Sequence, residues 1–188
     1  MTHLDREANL LGALALVVTD RTSDAIAAAA GQSLTAATAL SALHQFLDQP
    51  TIDMLRRVLG LTPSGTVRLV DRLAGAGYVT RGPGADGRTR SVRLTRKGQR
   101  VAARIAAERA AVLATALSEL SPTERAALPG ILDRLLAALV RDKLDRGIGG
   151  GWTCRLCDTK ACGRPEGLCP AANTAAAFAR RTGPAGET

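Results

Sequence analysis

Apolar residues along most of the chain recur every three or four positions, the spacing that places them on one face of an α-helix. Between residues 5 and 145 this pattern predicts six helices. The three long helices cover about residues 5–30, 96–120 and 121–145. A hydroxyl residue that can cap a first helical turn precedes five of the six predicted helices: Ser33, Thr51, Thr62, Thr95 and Ser121.

The helical pattern stops after residue 77, where two short alternating stretches predict β-strands at 78–81 and 88–94. The glycine- and proline-rich residues 82–87 between them predict a turn, so the two strands form a hairpin. Just before it, two short helices are separated by Gly60 and Leu61. The predicted fold class is therefore mainly α: a winged helix-turn-helix of six helices with a β-hairpin wing, followed by a small C-terminal metal-binding segment with four cysteines.

This pattern also divides the chain. Residues 1–146 form the winged-helix domain, in which about 33–95 is the DNA-binding part. The three long helices carry apolar stripes wide enough to need a partner, so we expect a homodimer. A glycine linker at 147–151 leads to the four-cysteine module with a short helix, residues 152–182, and to a tail at 183–188.

The charge of the chain is concentrated in one window. The formal net charge is +8, and residues 51–100 alone hold eleven basic and three acidic side chains. A basic surface confined to one subdomain is typical of a nucleic-acid binder. No apolar run is long enough to cross a bilayer and the N-terminus lacks a secretory signal, so we expect a cytoplasmic protein with no membrane partner. No nucleophile–base set or phosphate-binding loop stands out, so we expect no enzyme activity.

The second helix of the predicted motif would present its first turn to the major groove of double-stranded DNA. Ser64 and Thr66 offer hydroxyls, Gly65 permits close backbone approach, and arginine reaches guanine or phosphate. Arginines near the hairpin tip suit the minor groove. Arg72 fits either a phosphate contact or an internal ion pair. The candidate DNA-binding residues are Pro63, Ser64, Gly65, Thr66, Arg68, Arg72, Arg88 and Arg90.

Four segments resemble the MarR family of bacterial transcription regulators: residues 61–73 (LTPSGTVRLVDRL), 77–79 (GYV), 86–88 (DGR) and 94–98 (LTRKG). The resemblance covers about residues 5–145. It implies a dimer on a pseudo-palindromic operator, usually a repressor that a small-molecule effector, thiol oxidation or a metal releases. It places recognition-helix contacts on Ser64, Thr66 and Arg68 and a wing contact on Arg88, with Asp71 or Asp86 holding the wing arginine.

The four cysteines lie outside the resemblance and within 16 residues, in the pattern C-x2-C-x4-C-x6-C: Cys154, Cys157, Cys162 and Cys169. Four thiolates in a short loop segment can hold structural zinc, and metal binding would then supply the folding energy that the segment lacks. An iron–sulfur cluster is the alternative ligand, and a metal-free thiol switch is a third interpretation. Two disulfides or four idle thiols are disfavoured in a reducing cytoplasm.

The function predicted from these features is that of a sequence-specific DNA-binding transcription regulator, a dimeric repressor released by a ligand or signal. A redox-sensing regulator that uses the cysteines is one alternative, and a non-specific architectural DNA-binding protein is another. Aromatic residues make up only 2% of the chain, which favours an aliphatic lining for any effector pocket.

Overall fold

The computed structural model describes residues 5–84 and 89–182. Within them lie seven helices and two strands, which confirms a mainly helical winged helix. In chain order they are α1 (Arg6–Ala30), α2 (Leu34–Gln45), α3 (Ile52–Leu59), α4 (Pro63–Gly75), β1 (Val79–Pro83), β2 (Arg90–Leu94), α5 (Arg96–Leu117), α6 (Pro122–Asp145) and α7 (Pro170–Thr182).

Each of the five predicted caps is confirmed, because the hydroxyl of each residue accepts a hydrogen bond from a backbone N–H in the first turn. At Ser121 the bond is reciprocal, since the Glu124 carboxylate accepts from the Ser121 N–H at 2.8 Å. These bonds satisfy N–H groups that have no partner inside the helix. The helix starts are therefore determined locally by the sequence.

Helix α2 is the centre of the fold. Its residues 36–43 are all buried, and α1 and α5 pack against it. Its many alanines allow these helices to approach closely. Larger side chains from the surrounding elements fill the rest of the core, including Ile26, Leu55, Leu69, Leu73 and Ile105. The same core supports α3 and α4, so the helix-turn-helix rests on a rigid base.

The wing is an antiparallel pair in which Val79 lies opposite Leu94 and Pro83 lies opposite Arg90. It is also tied to the start of α3, because the Val92 N–H donates to the Pro50 carbonyl at 3.0 Å. Both strands begin slightly later than predicted; β1 also ends later, whereas β2 ends at the predicted Leu94. The predicted turn at 82–87 falls partly on residues 85–88, which lie outside the described residues.

The start of α5 is anchored to the end of α4. The Thr95 hydroxyl donates to the Gly77 carbonyl at 2.7 Å, and the Lys97 ammonium donates to the Ala76 carbonyl at 2.8 Å. Gly98 lies against the Tyr78 carbonyl so closely that a Cβ atom there would collide with its oxygen. These contacts give a structural reason for the segment 94–98, which fixes the wing relative to the long helix.

A Gly98→Ala substitution is expected to lower the free energy of unfolding by about 1–3 kcal/mol, since its Cβ must displace backbone. Gly75→Ala is the matched control, because it is also a helical glycine and has no atom within 4 Å of the added Cβ. The control is expected to be neutral or to gain about 0.5–1 kcal/mol. Urea unfolding followed by circular dichroism measures both. Equal stability of the two variants would contradict the close contact at Gly98.

Helix α6 has nearly the predicted bounds, whereas α5 and α7 differ from the predicted lengths. Pro129 lies within α6, and the helix continues past it to Asp145. Helix α5 ends at Leu117, before the predicted residue 120, and α7 is longer than the short helix expected in the module. Helix α7 packs along α6.

Among the described residues, no single helix has the length and apolarity of a membrane span. The bent pair of α1 and α2, which meet at 81°, passes this test on length and composition alone.

Candidate DNA-binding surface and cysteine cluster

The turn between α3 and α4 is built as the sequence predicts. Gly60 has a left-handed backbone with a φ of 68°, which glycine adopts without strain. Leu61 packs against the core, and the Thr62 hydroxyl accepts from the Gly65 N–H at 3.1 Å. Pro63 occupies the first helical position, where its missing N–H costs nothing. The turn therefore holds the first turn of α4 at the surface.

One face of α4 is exposed along its length. Ser64, Val67, Arg68 and Arg72 are exposed and follow one another at helical spacing, and Pro63 is exposed at its start. Val67 is absent from the predicted DNA contacts, although 43% of its surface is exposed. The signal was available, because Val67 lies three residues after Ser64 and one before Arg68. A small apolar side chain on this face can contact a thymine methyl group.

Thr66 corrects one of the predicted DNA contacts. Its side chain is fully buried, and its hydroxyl donates to the Thr62 carbonyl at 2.9 Å. The prediction that this side chain contacts DNA is therefore wrong, because the hydroxyl faces the core and has a partner inside the helix. Gly65 is half-buried, and its N–H is already used by the Thr62 cap, so its contribution is limited to leaving room for the backbone to approach a ligand.

An ion pair joins the wing to α4. The Arg81 guanidinium on β1 donates to the Asp71 carboxylate at 2.5 Å. Asp71 thus holds one wing arginine, Arg81 on β1, and the prediction that Asp71 or Asp86 holds Arg88 stays a prediction. Asp86 and Arg88 lie outside the described residues. The pair orients the hairpin relative to the exposed face of α4.

The remaining candidate arginines differ in their surroundings. Arg90 is exposed at the start of β2, opposite Pro83. Arg72 is exposed and forms no salt bridge with any described residue, which leaves its charge available to an external anion. By contrast, Arg56 and Arg57 on α3 both bind the Asp53 carboxylate, at 2.7 and 2.8 Å. Hydrogen bonding to Arg56 holds the pKa of Asp53 below its usual value, so this carboxylate stays charged beside them.

The four cysteines lie near one another and none is disulfide-bonded. Cys154 and Cys169 are buried, and Cys157 and Cys162 are half-buried. Hydrogen bonding to Cys154, assisted by the charges of Arg109 and Arg164, lowers the pKa of the Cys157 thiol to about 6. The same bond, together with burial, raises the pKa of Cys154 well above its usual range. The two shifts have opposite directions, so Cys157 is the thiol of this pair that ionises more readily.

The metal-binding role of these thiols stays a prediction. In residues 5–84 and 89–182, no group of three or more His, Cys, Asp or Glu side chains is arranged as a metal site. The chemistry of the donor set nevertheless fits a thiophilic ion, because four thiols lie in one cluster. The pKa of Cys162 is raised by burial and by the neighbouring Cys169. Left-handed glycines at 163 and 167 turn the loop that brings Cys162 and Cys169 together.

The module docks on the helix-turn-helix. The Trp152 N–H donates to the Val58 carbonyl at the end of α3, at 2.8 Å. The Thr159 hydroxyl donates to the Gln45 carbonyl at the end of α2, at 3.2 Å. The Trp152 and Phe46 rings stack with centroids 6.0 Å apart. On its other side, the cluster of cysteines packs with Val140 of α6.

The predicted glycine linker is part of this contact. Gly151 lies against the backbone of Val58 and Leu59, and it also approaches Gly60 so closely that neither glycine has room for a Cβ. The Lys143 ammonium on α6 donates to the Gly151 carbonyl at 2.9 Å. The linker thus connects α6 to the turn of the helix-turn-helix through backbone contacts.

Comparisons with known proteins agree with this architecture. Residues 30–89 match the model of the MarR family, and this segment ends well before the first cysteine. A comparison with curated protein sequences finds no match.

Several solved structures resemble this chain over most of its length and over nearly their whole own length. A MarR family protein from Bacillus stearothermophilus is 25% identical, with a TM-score of 0.59, and the match covers 70% of this chain and 91% of that one. RV1404 from Mycobacterium tuberculosis is 23% identical, with a TM-score of 0.61 and coverage of 72% and 94%. A MepR variant from S. aureus, solved bound to an oligodeoxyribonucleotide, is 18% identical, with a TM-score of 0.54 and coverage of 72% and 99%.

Residues 30–89 thus match the MarR family, and the described residues share the winged-helix fold of these structures. That family is one of transcription regulators and not of enzymes.

Proposed function

We propose, on the premise of a MarR-type winged-helix regulator, that this chain is a dimeric, sequence-specific DNA-binding transcription repressor that a ligand or signal releases. The observation that carries the proposal is the exposed face of α4, where Ser64, Val67, Arg68 and Arg72 are exposed beside a basic hairpin. A helix with this face fits the major groove, with the wing over the adjacent backbone. The oligonucleotide bound to the MepR variant, which shares the fold, supports the same role here.

The homodimer is inferred from apolar surface that one chain leaves uncovered. The first half of α1 exposes Leu10, Leu14, Leu16 and Val17, and α6 exposes four more apolar side chains: Ile131, Leu132, Leu135 and Leu139. Residues 122–135 of α6 are almost entirely exposed. Continuous apolar surface of this kind marks an interface. A second copy of the chain, packed on these helices, would cover it and place two α4 helices side by side.

Arg68→Ala is expected to weaken binding to a cognate DNA site by about 1–3 kcal/mol, because arginine on this face reaches guanine or phosphate. Fluorescence anisotropy with a labelled duplex at fixed salt measures the loss. Arg180→Ala is the matched control, since Arg180 is an exposed arginine on α7, far along the chain from α4. Equal affinities for the two variants would contradict the assignment of α4 as the recognition helix.

A non-specific architectural role is the competing function, and it differs in the sequence dependence of binding. The basic window would give either protein affinity that falls steeply with salt. Only a regulator prefers one sequence by several kcal/mol over random DNA. Exposed Val67, which has no charge to offer to phosphate, favours the regulator, because an apolar contact on this face reads bases and not the backbone.

We also propose that the four cysteines hold one structural zinc ion. Four thiolates suit zinc or an iron–sulfur cluster better than any hard cation. When bound, zinc would supply a tetrahedral cross-link between the two ends of the loop. The module has a small core of its own, since only Cys154, Cys169, Ala171 and Thr159 are buried within it, so a cross-link is needed to stabilise it.

Metal analysis of protein purified without oxygen tests this assignment. One zinc per chain with neither iron nor sulfide supports the structural ion. Iron with inorganic sulfide would replace it by a cluster and make the module a redox sensor. No metal together with reversible thiol oxidation would identify a thiol switch.

A further inference from the structure

We propose that the cleft between α6, the linker and α7 binds a small organic anion: an apolar body that carries one carboxylate. The cleft has a volume of about 360 Å³, which is within the size range of small-molecule sites. It is formed by the C-terminal half of α6, residues 148–154 and the first turns of α7. It therefore exists only because the cysteine module folds back on α6.

The walls of the cleft are apolar. Val140 and Leu144 line it from α6, Ile148 and Trp152 from the linker region, and Ala171 and Ala175 from α7. Ile148 and Trp152 are both exposed although they are large and apolar. Covering these two side chains with an apolar ligand removes apolar surface from water, which is favourable. The lining thus selects a hydrocarbon or aromatic body.

Two cations determine the polar end of the ligand. Lys143 and Arg164 line the cleft, and no aspartate or glutamate does. Neither cation forms a salt bridge with any described residue. The Lys143 ammonium has donors left after its bond to the Gly151 carbonyl, and the Arg164 guanidinium lies 5.7 Å from the centre of the Trp152 ring. A carboxylate in the cleft would accept charge-assisted hydrogen bonds from Lys143, and the positive charge of Arg164 would add to the attraction.

The location gives the ligand a route to the DNA-binding helices. Lys143 holds Gly151, and the next residue, Trp152, binds the last turn of α3 through Val58. A carboxylate that draws the Lys143 ammonium away would loosen the linker from the helix-turn-helix. The effector role rests on the proposed function, whereas ligand binding itself does not.

Trp152 is the only tryptophan of the chain and lies in the cleft, so its fluorescence reports occupancy directly. The metal-loaded, full-length protein is titrated with octanoate and, as a neutral probe of similar length, with octanol. We expect saturable quenching or a shift by octanoate, with octanol at least about tenfold weaker, the loss expected without one charge-assisted bond. No saturable response to octanoate, or equal affinity for octanol, would overturn the proposal.

Two variants locate the site. Lys143→Met is expected to weaken octanoate binding by about tenfold or more, and Lys143→Arg to retain it. Ala175→Phe fills the cleft and is expected to abolish binding of both probes. Lys160→Met removes an exposed cation of the module that does not line the cleft, so it is the matched control. Wild-type affinity in both Lys143→Met and Ala175→Phe would place octanoate elsewhere and refute the site.

The effect of octanoate on DNA affinity is measured separately, by fluorescence anisotropy with a labelled duplex. A change in DNA affinity with octanoate that disappears in Ala175→Phe supports the effector role. If octanoate binds but the DNA affinity does not change, the effector role is refuted and the site is not. If octanoate binds but the protein does not bind DNA, the proposed function is refuted and the site is not.

Discussion

Replacing Cys169 with serine is expected to reduce the metal content from one ion per chain to near zero and to unfold the module. Cys169 is buried and closes the loop that starts at Cys154, so its thiolate is the one that ties the far end of the segment to α7. Without the cross-link, the few buried side chains of the module do not offset the entropy of ordering it. The docking of Trp152 on α3 would be lost with it.

The readouts for this variant are metal content, Trp152 fluorescence and limited proteolysis between residues 147 and 153. Cys169→His is the matched substitution, because histidine is a zinc ligand in Cys₃His sites and serine is a poor one. We expect the histidine variant to keep zinc and the protected linker. Full metal content in Cys169→Ser would contradict a site in which all four cysteines are ligands.

A Leu135→Glu substitution is expected to convert the dimer to a monomer and to abolish high-affinity DNA binding. Leu135 lies on the exposed apolar face of α6, which we assign to the interface between two copies. Because the two subunits are related by symmetry, the substitution places one unpaired carboxylate from each subunit in the interface. Burying an unpaired charge costs several kcal/mol. A monomer would hold one α4 helix and could read only one half-site.

Sedimentation equilibrium at micromolar concentration measures the association. Leu34→Glu is the matched control, because Leu34 is also an exposed leucine. It begins α2, and the exposed apolar residues of α1 lie in the first half of that helix, away from α2. A glutamate there is also favourable to the helix N-terminus. A Leu135→Glu variant that sediments as a dimer would refute this interface.

The sequence predicted the parts of the fold that local chemistry determines. Helix starts at Ser33, Thr62 and Thr95 need only a hydroxyl and the N–H groups of the next turn, so they can be identified without knowledge of the tertiary structure. The hairpin follows from alternation and turn residues in the same way. Strand ends shifted by a residue or two, because pairing and not propensity decides where a short strand stops.

The orientation of α4 was predicted less well, and Thr66 shows why. A hydroxyl side chain near a helix start is typical of DNA contacts, but Thr66 shares its helical face with Leu69, Val70 and Leu73, which are all buried. The helical spacing of Thr66 relative to these leucines and valine indicates a buried position, whatever its residue type. The same argument turns Val67 outward.

The docking of the module was not predictable from residue types. Its main bonds end on the carbonyl oxygens of Gln45, Val58 and Gly151, and every residue offers such an oxygen. The cysteine spacing indicated a compact loop but not its neighbours. The cleft beside Lys143 followed from that docking, so it also became visible only in the folded chain.

Selection of binding sites from a random duplex library with the full-length protein tests the central claim most directly. We predict enrichment of one pseudo-palindrome whose half-site centres lie about 10–10.5 bp apart, one turn of DNA, because two symmetry-related α4 helices would read it. Arg68→Ala should lose the preference at specific positions of each half-site. Retention of duplexes with no enriched sequence would contradict a sequence-specific regulator and identify a protein that binds DNA by charge alone.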